Sequence, residues 1–477
     1  MDPMDERLSV APMMEWTDPH WRRLARIITK RTVLYTEMVV DDTIIHSPNL
    51  DFYFGRGIEE EPSVIQVGGH DPENLGKACE IVQKYGGGYG EVNLNCGCPS
   101  QRVAQRCFGA KLMLEPELVR EIVHSMQRRL SVPVTVKCRI GVDDFDSYEE
   151  LTRFIMAARL GGARKFIIHA RKCLLDGLSP KQNRDVPPLH YDIPHRLVQE
   201  FPDLRFIING GVTTLSQANV HLAPYTHTPC TSCTPQHQPN LSKSIFAKLH
   251  KTTGGFIPEL GSDPLNPTTV MPAVHGVMIG RAAYSNPMIL ATADSEIFGQ
   301  PDPCLSRRQV LDQYIDYCEW VQSDQGPKYI TTKGDVKTPT TMQMLNAMRS
   351  IMHGLPRNAR FRTGLNDQYM ERLKALGEGG GNPDVREVIE SACLVMRDED
   401  LDRVLGNPLA KDDTLKTYSA RSKDTAVDTA ADAVAAAVDT AAADAAAADT
   451  DTAAAIDTVD TATGAIASLA LDTPAVI

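Results

Sequence analysis

This 477-residue sequence contains no long apolar run and no recognisable N-terminal targeting signal. No apolar run reaches the roughly 18 residues of a membrane span, so no membrane partner is predicted. The N-terminal segment MDPMDERLSVAP is acidic. It lacks the basic and apolar regions of a secretory signal and the Arg/Ser bias of a transit peptide. These absences predict a cytoplasmic protein, and they leave the choice of organelle open.

The cysteines lack the regular spacing of a disulfide framework. There are eleven of them, an odd number, scattered through the chain. This pattern predicts a reducing compartment. The sequence also lacks a G-x-G-x-x-G motif after its first strand-like run, which argues against a doubly wound dinucleotide-binding sheet.

Basic residues are missing from the end of the chain. From Asp424 onward there are ten Asp and no Lys or Arg. The net charge is −12, so removing these ten charges leaves −2 for residues 1–423. We expect the Ala/Asp/Thr-rich tail over 411–477 to be disordered, because it has too little apolar contrast to pack. A polyanionic partner would need a local basic surface on the nearly neutral remainder.

Short apolar runs recur along the first 300 residues and are mostly separated by helical patterns. Parallel strands buried on both faces are typically apolar throughout, as these runs are. Helical stretches are predicted after Asp18, at Asp71-Pro72, at Pro116 and near 147–159. The predicted strands lie at 7–14, 33–39, 63–69, 91–96, 132–141, 165–171, 205–211 and 276–282. Eight such strands predict an α/β fold, a parallel (β/α)₈ TIM barrel over residues 1–300.

Two regions fall outside this barrel pattern. The segment 224–272 contains eight prolines and little periodicity, so we interpret it as a disordered insertion. Its single C-x-x-C with flanking histidines could bind zinc, but no second cysteine pair sets the spacing, and no metal site is predicted. The residues concerned are His227, Cys230, Cys233 and His237.

Residues 301–410 have helical composition and predict a small all-α domain. This region includes an acid-free stretch of fourteen residues with four arginines: Arg349, Arg357, Arg360 and Arg362. A solvated charged face is the usual outcome for such a cluster. The alternative is a surface that contacts a nucleic-acid phosphate backbone.

The stretch EVNLNCGCPS (91–100) carries the strongest chemical signal. A period-2 strand ends in Gly97-Cys98-Pro99, and the glycine and proline hold Cys98 on a fixed loop beyond the strand. Active sites of such barrels lie at the C-terminal strand ends. The polar and glycine residues there are Pro12 to Met14, Glu37, Gln66, Asn95, Cys98, Lys137, Arg139, His169, Asn209 to Gly211, Gly280 and Arg281.

This set of side chains indicates a flavin site. Glycines after strands seven and eight match the usual phosphate site of these barrels, and Arg281 adds a bidentate donor. A cation such as Lys137 would stabilise negative charge on a reduced flavin. Gln66 and Asn95 offer amides to flavin or base edges. FMN is therefore predicted, with the Cys98 thiol opposite it as an acid.

These residues occur within motifs that closely resemble those of the tRNA-dihydrouridine synthases, in the A-type branch. The resemblance covers about residues 7–300 and extends weakly to RSIMHGLPRNARFR (349–362). The matching stretches are APMMEWTD (11–18), LYTEMV (34–39), IQVGGHDP (65–72), NLNCGCPS (93–100), VTVKCRIGVDD (134–144), FIIHARK (166–172), GLSPKQNRDVPPL (177–189), INGG (208–211) and GVMIGRAAYSNP (276–287).

The resemblance implies reduction of the uridine C5=C6 bond at positions 20 and 20a of the tRNA D-loop. NADPH, or NADH, would reduce FMN, the flavin N5 would give hydride to C6, and Cys98 would protonate C5. It further implies that Asn95, Lys181 and Arg184 contact tRNA, that 301–410 binds tRNA, and that the protein is a monomer. The implied FMN residues are Pro12, Met13, Met14, Gln66, Lys137, His169, Asn209, Gly210, Gly211, Gly280 and Arg281.

Three other functions would each explain only part of the sequence. A different FMN barrel could reduce a free pyrimidine or an enone, but it would not need a helical domain or Lys181 and Arg184. A tRNA-binding protein without catalysis would not need Cys98. A Schiff-base aldolase using Lys137 would explain neither Cys98 nor Gln66. Cys96 departs from the family pattern by placing a second thiol near Cys98.

Overall fold

The computed structural model of the chain describes residues 4–55, 60–85, 88–100, 103–104, 107–226, 270–331, 334–377 and 381–406. Eight parallel strands close into a barrel, in which strand 1 pairs with both strand 2 and strand 8. The barrel strands are Leu8–Val10, Val33–Val40, Ser63–Gly68, Glu91–Cys96, Val134–Arg139, Lys165–His169, Arg205–Asn209 and Gly276–Ile279. The predicted (β/α)₈ fold is confirmed.

Helices follow the strands where the sequence places their start signals. The Asp18 side chain accepts a hydrogen bond from the Trp21 backbone N–H and so caps the first helix. Ser147 and Glu150 form a capping box before the helix after strand 5. The helices of the barrel are Pro19–Ile28, Asp41–His46, Leu50–Phe54, Pro72–Tyr85, Pro116–Gln127, Tyr148–Gly161, Asp192–Glu200, Leu215–His221, Arg281–Ser285 and Ala293–Glu296. Within the described residues, the 3₁₀ segments are Gly109–Leu114, Gln182–Arg184 and Pro287–Thr292.

Successive side chains of a strand point alternately toward the surrounding helices and toward the barrel interior. On strand 4, Val92, Leu94 and Cys96 belong to a buried apolar cluster formed with the surrounding helices. Asn93 and Asn95 occupy the intervening positions and therefore point to the other face, toward the barrel interior.

The N-terminal end of the barrel is closed by a buried ionic cluster. The Lys165 amino group lies 2.8 Å from a Glu6 carboxylate oxygen and also pairs with Glu91. Burial and the neighbouring Glu6 charge raise the pKa of Glu91 to about 7. This cluster lies at the starts of strands 4 and 6, opposite the ends that carry the predicted site.

The C-terminal region is helical, as predicted, and includes a small antiparallel hairpin (Tyr329–Ile330 with Val336–Lys337). Its helices are Arg307–Gln322, Thr341–Met348, Asn358–Leu376, Val385–Cys393 and Asp398–Leu401. One continuous apolar cluster joins these helices to the first barrel helix and to strands 1 and 8. The boundary at residue 301 remains a prediction.

The connection between strands 7 and 8 contains a second short hairpin, in which Tyr225–Thr226 pairs antiparallel with Val270–Met271. The ends of the predicted 224–272 insertion are therefore ordered. The remainder of that insertion, the four His/Cys residues within it and the 411–477 tail lie outside the described residues. Over the part of the chain that the structure describes, no helix is both long and apolar enough to cross a bilayer.

Candidate active site

The loop that carries Cys98 is held by the side chain of Asn95. The Asn95 Oδ1 accepts hydrogen bonds from the backbone N–H groups of Gly97 at 3.1 Å and Cys98 at 3.0 Å. Its Nδ2 donates to the Gln66 Oε1 at 2.8 Å. Because the acceptor and the donor are both used, the amide is fixed in orientation. The position of Cys98 therefore depends on a side chain three residues earlier.

The hydrogen bonds of this amide continue across the barrel interior. The Gln66 Nε2 donates to Asn93 Oδ1 at 2.8 Å, and the Asn93 Nδ2 donates to Thr135 Oγ1 at 3.0 Å. All three residues are buried. The sequence predicts Gln66 and Asn95 as site residues, whereas the structure adds Asn93 and Thr135. Strand periodicity places Asn93 on the same face as Asn95, so this signal was available.

A glycine supports the Cys98 loop from the other side. The Ala110 backbone N–H donates to the Cys98 carbonyl oxygen at 2.9 Å. Gly109 has a φ of +68°, and a Cβ there would lie 2.8 Å from that carbonyl oxygen and 2.5 Å from Cγ1 of Val103. Only glycine permits this approach without displacing the loop.

The two neighbouring thiols have different environments. Cys98 is half-buried beyond the strand end, whereas Cys96 is fully buried and faces Cys138 on strand 5. Burial raises the pKa of the Cys98 thiol, and the positive charges of Arg139, Arg184 and Lys137 oppose this only in part. Burial raises the pKa of Cys96 still further. Cys98 therefore keeps its proton at neutral pH, as a general acid must.

A lysine and a histidine line the same end of the barrel. The Lys137 amino group donates to Asn209 Oδ1 at 3.0 Å, and Asn209 Nδ2 donates to the Met278 carbonyl oxygen at 2.9 Å. Burial, reinforced by the Arg139 charge, lowers the pKa of Lys137 to about 8. Burial also lowers the pKa of His169 well below its ordinary value, so this imidazole is neutral at pH 7.

The strand ends next to Lys137 offer backbone N–H groups. Gly210 and Gly211 have φ values of +107° and +73°, and a Cβ on Gly210 would lie 2.7 Å from the His169 ring. In contrast, a Cβ on Gly280 would meet only Ala11, at 3.8 Å, so the space beside Gly280 is open. Exposed N–H groups at such glycine turns bind phosphate in barrels of this kind.

The segment after strand 1 contributes Pro12, Met13 and Met14. The Met13 backbone N–H donates to Thr17 Oγ1 at 3.0 Å, while the Met14 side chain is 57% exposed. The Glu37 carboxylate accepts a hydrogen bond from the backbone N–H of Glu15, the residue after Met14. Burial raises the pKa of Glu37 to about 7. Glu37 therefore helps to fix the conformation of this segment.

Lys181 and Arg184 lie at the 3₁₀ turn Gln182–Arg184 of the loop after strand 6. Lys181 is exposed, whereas Arg184 is half-buried. Burial, with a contribution from Arg281, lowers the pKa of Arg184. The next residue, Asp185, is ion-paired with Arg281 at the start of the helix after strand 8. Arg281, which sequence analysis placed at a phosphate, therefore has a carboxylate partner.

The predicted arginine cluster lies on the helical region. Arg349 follows the helix Thr341–Met348, and Arg357 precedes the helix Asn358–Leu376, which contains Arg360 and Arg362. Arg360 is exposed, and Arg357 is exposed but donates to the Val395 carbonyl oxygen at 3.0 Å.

Among the described residues, no group of three or more His, Cys, Asp or Glu side chains could hold a metal ion.

The fold and this set of residues define a class of protein: a (β/α)₈-barrel enzyme whose site combines a protonated thiol, fixed amides, a half-buried lysine and phosphate-type glycines. The sequence matches the family described as "Dihydrouridine synthase (Dus)" over residues 9–243 and 268–334. The chain belongs to the dihydrouridine synthase family.

Several curated relatives of this chain are named tRNA-dihydrouridine(20/20a) synthase. The protein of Vibrio parahaemolyticus is 43% identical over 314 residues, which cover 66% of this chain and 80% of the relative. The proteins of Pseudomonas putida and Synechocystis are each 38% identical, over 65% of this chain and 77% and 78% of their own lengths.

Proposed function

We propose that this protein is an FMN-dependent tRNA-dihydrouridine synthase that uses NADPH to reduce uridines 20 and 20a of the tRNA D-loop. The observation that carries the proposal is the amide chain from Gln66 through Asn95 to the backbone N–H of Cys98. This chain of hydrogen bonds fixes a protonated thiol at the end of a barrel that also has a half-buried lysine. Family membership and the names of the relatives support the same reaction.

The residues present fit FMN. Gly210, Gly211 and Gly280 offer backbone N–H groups for a phosphate, the space beside Gly280 is open, and Arg281 offers a guanidinium. Lys137 would face the ring system, with Gln66, His169, Asn209 and the segment Pro12 to Met14 lining it. When bound and reduced by NADPH, FMN supplies hydride to C6 of the uridine.

Lys137 has an electrostatic task in this proposal. Its pKa of about 8 means that the amino group is mostly protonated at pH 7, despite its burial. A protonated amine favours a negatively charged ring nearby, and the negative charge in turn raises the amine pKa. Lys137 would therefore hold the ring in place and stabilise its reduced form.

Cys98 would supply the proton that completes the reaction. Addition of hydride at C6 leaves electron density at C5, and the Cys98 S–H bond breaks as a C5–H bond forms. The raised pKa of Cys98 keeps this proton available at neutral pH. The hydrogen bonds from the Gly97 and Cys98 backbone N–H groups to Asn95 would hold the sulfur at the face of C5. A small misplacement of the acid there would slow the proton transfer.

Substrate recognition would combine a base pocket with phosphate contacts. The target uridine must leave the base stack to reach the barrel interior. We assign Asn95, Lys181 and Arg184 to tRNA contact at the barrel, and residues 301–410 with their arginine cluster to the phosphate backbone. The catalytic unit would be residues 1–300 of a monomer.

Reconstitution tests the proposal. Purified full-length protein should bind FMN, turn yellow and, with NADPH, convert uridines 20 and 20a of an unmodified tRNA transcript to dihydrouridine. The product is mapped by sequencing. A protein that takes up no FMN on titration, or that leaves the transcript unmodified when FMN is bound, would contradict this function.

A further inference from the structure

The loop after strand 6 contains a fully buried asparagine. Asn183 lies between the exposed Gln182 and the half-buried Arg184, yet its side chain has no accessible surface. Its Oδ1 accepts from the Leu174 backbone N–H at 2.8 Å, and its Nδ2 donates to the Leu174 carbonyl oxygen at 2.8 Å. One side chain thus joins the two ends of the ten-residue segment 174–183, with every contact to backbone.

The main chain of Asn183 is held in turn by Arg139 on strand 5. The Arg139 Nη1 donates to the Asn183 carbonyl oxygen at 2.8 Å and to the Lys172 carbonyl oxygen at 3.2 Å. Arg139 is only 2% exposed. A guanidinium in such a position requires hydrogen-bond acceptors, because burying it without them is costly.

The third contact of Arg139 reaches the loop of the thiol. Its Nε donates to the Gly97 carbonyl oxygen at 3.0 Å, one residue before Cys98. The guanidinium is planar and rigid, so its Nε and Nη1 contacts are set together. If the Asn183 carbonyl moves, Arg139 must turn to recover an acceptor, and the Gly97 contact changes with it.

We propose that Asn183 is a positioning residue for Cys98, acting through Arg139 and Gly97. The inference rests on the proposed function only for the identity of Cys98 as the acid. The loop that Asn183 organises also carries Lys181 and Arg184, assigned above to tRNA contact. The relay therefore couples correct folding of the substrate-contact loop to correct placement of the thiol.

Thiol alkylation tests the relay directly. The full-length protein, without flavin or tRNA, is treated with iodoacetamide, and the alkylation rate of each cysteine is measured by peptide mass spectrometry. Asn183→Ala removes the side chain that holds the loop. Loss of the relay hydrogen bonds should raise the alkylation rate of Cys98 about two- to tenfold. Circular dichroism tests whether the variant is folded.

Two comparisons within the same protein distinguish an effect transmitted to Cys98 from a change confined to the loop of Asn183. Gln182, the neighbouring residue, is exposed, and its side chain accepts a hydrogen bond from the Ser179 backbone N–H within the same turn. Gln182→Ala should therefore leave the Cys98 rate unchanged. Cys173 is buried next to Leu174 and reports on the loop itself. An Asn183→Ala protein in which Cys173 reacts faster while Cys98 does not would overturn the proposal, as would one in which neither rate changes.

A second variant covers the case in which Asn183→Ala does not fold. Arg139→Lys leaves the Asn183 side chain intact but replaces the rigid fork by a single amino group, and Cys98 should again react faster. With FMN, NADPH and tRNA, the Asn183 variant should form dihydrouridine more slowly while its flavin is reduced at the wild-type rate. A wild-type protein without synthase activity would refute the proposed function and leave the alkylation comparison valid.

Discussion

Asp185 and Arg281 form an ion pair between two loops at the C-terminal end of the barrel. The Arg281 Nη2 lies 2.6 Å from Asp185 Oδ1, and Nη1 lies 3.4 Å from Oδ2. The two residues are 96 positions apart in the sequence. The hydrogen bond from Arg281 lowers the pKa of Asp185, so the carboxylate is ionised at neutral pH.

The ion pair predicts competition between Asp185 and a cofactor phosphate. Both acidic groups would use the terminal nitrogens of Arg281. Replacing Asp185 by Asn removes the competing charge, and an exposed pair of this kind is worth about 0.2–1 kcal/mol. Asp185→Asn should therefore tighten FMN binding by about 1.4- to 5-fold, measured by quenching of flavin fluorescence. Weaker binding than in wild type would show that Asp185 instead orients Arg281 for the phosphate.

Substitutions of Cys98 and Cys96 should have opposite effects on dihydrouridine formation. Cys98→Ala should retain FMN, NADPH-dependent flavin reduction and tRNA binding but lose most dihydrouridine formation, because the proton donor is missing. Cys96 packs in the apolar layer beside Cys138, so Cys96→Val should turn over at close to the wild-type rate. Single-turnover assays on one tRNA transcript compare them. Activity in Cys98→Ala with loss in Cys96→Val would assign the acid to the other sulfur.

Lys137 should destabilise the flavin-free protein. Its folded pKa of about 8 lies below the ordinary value of 10.5, so the unfolded chain binds more protons between these values. Stability should therefore increase as pH rises from about 8 to 10.5. Lys137→Met should raise the free energy of unfolding at pH 7 by about 1–3 kcal/mol, and this gain should shrink over the same pH range.

Urea unfolding at several pH values measures this effect. The control is Lys84→Met on the exposed surface of the helix Pro72–Tyr85, which should keep the wild-type pH dependence. The same Lys137→Met protein should bind FMN more weakly or reduce it more slowly. A variant that is less stable than wild type at pH 7 would contradict the argument from burial.

The arginines of the helical region should contribute to tRNA affinity through phosphate contacts. Arg360 is exposed, and removing its charge should reduce the slope of log K against log salt by about 0.7–0.9. Arg386 is a matched control, because its guanidinium is already paired with Asp316 and Glu319. Arg360→Gln should flatten the slope and Arg386→Gln should not. Equal slopes for both variants and wild type would make Arg360 only a solvated surface residue.

The barrel could be predicted because each strand is a short apolar run bounded by glycine, proline or polar residues. The helix Asn358–Leu376 could not, because its buried residues are few and lie among basic and polar ones. Likewise, sequence placed Arg139 at a strand end but could not identify its role. Its acceptors are three backbone carbonyls between 33 and 44 residues away, and a carbonyl carries no side-chain signature.

The short hairpin between strands 7 and 8 identifies a place where the length of their connection can be altered. Tyr225–Thr226 and Val270–Met271 lie side by side, so the main chain leaves the barrel and returns to it at adjacent positions. Strands 7 and 8 are hydrogen-bonded directly to each other, so their pairing does not depend on the length of the connection. This junction is therefore a natural point for shortening the connection or grafting another domain, since neither operation requires Asn209, Gly210 or Gly280 to move.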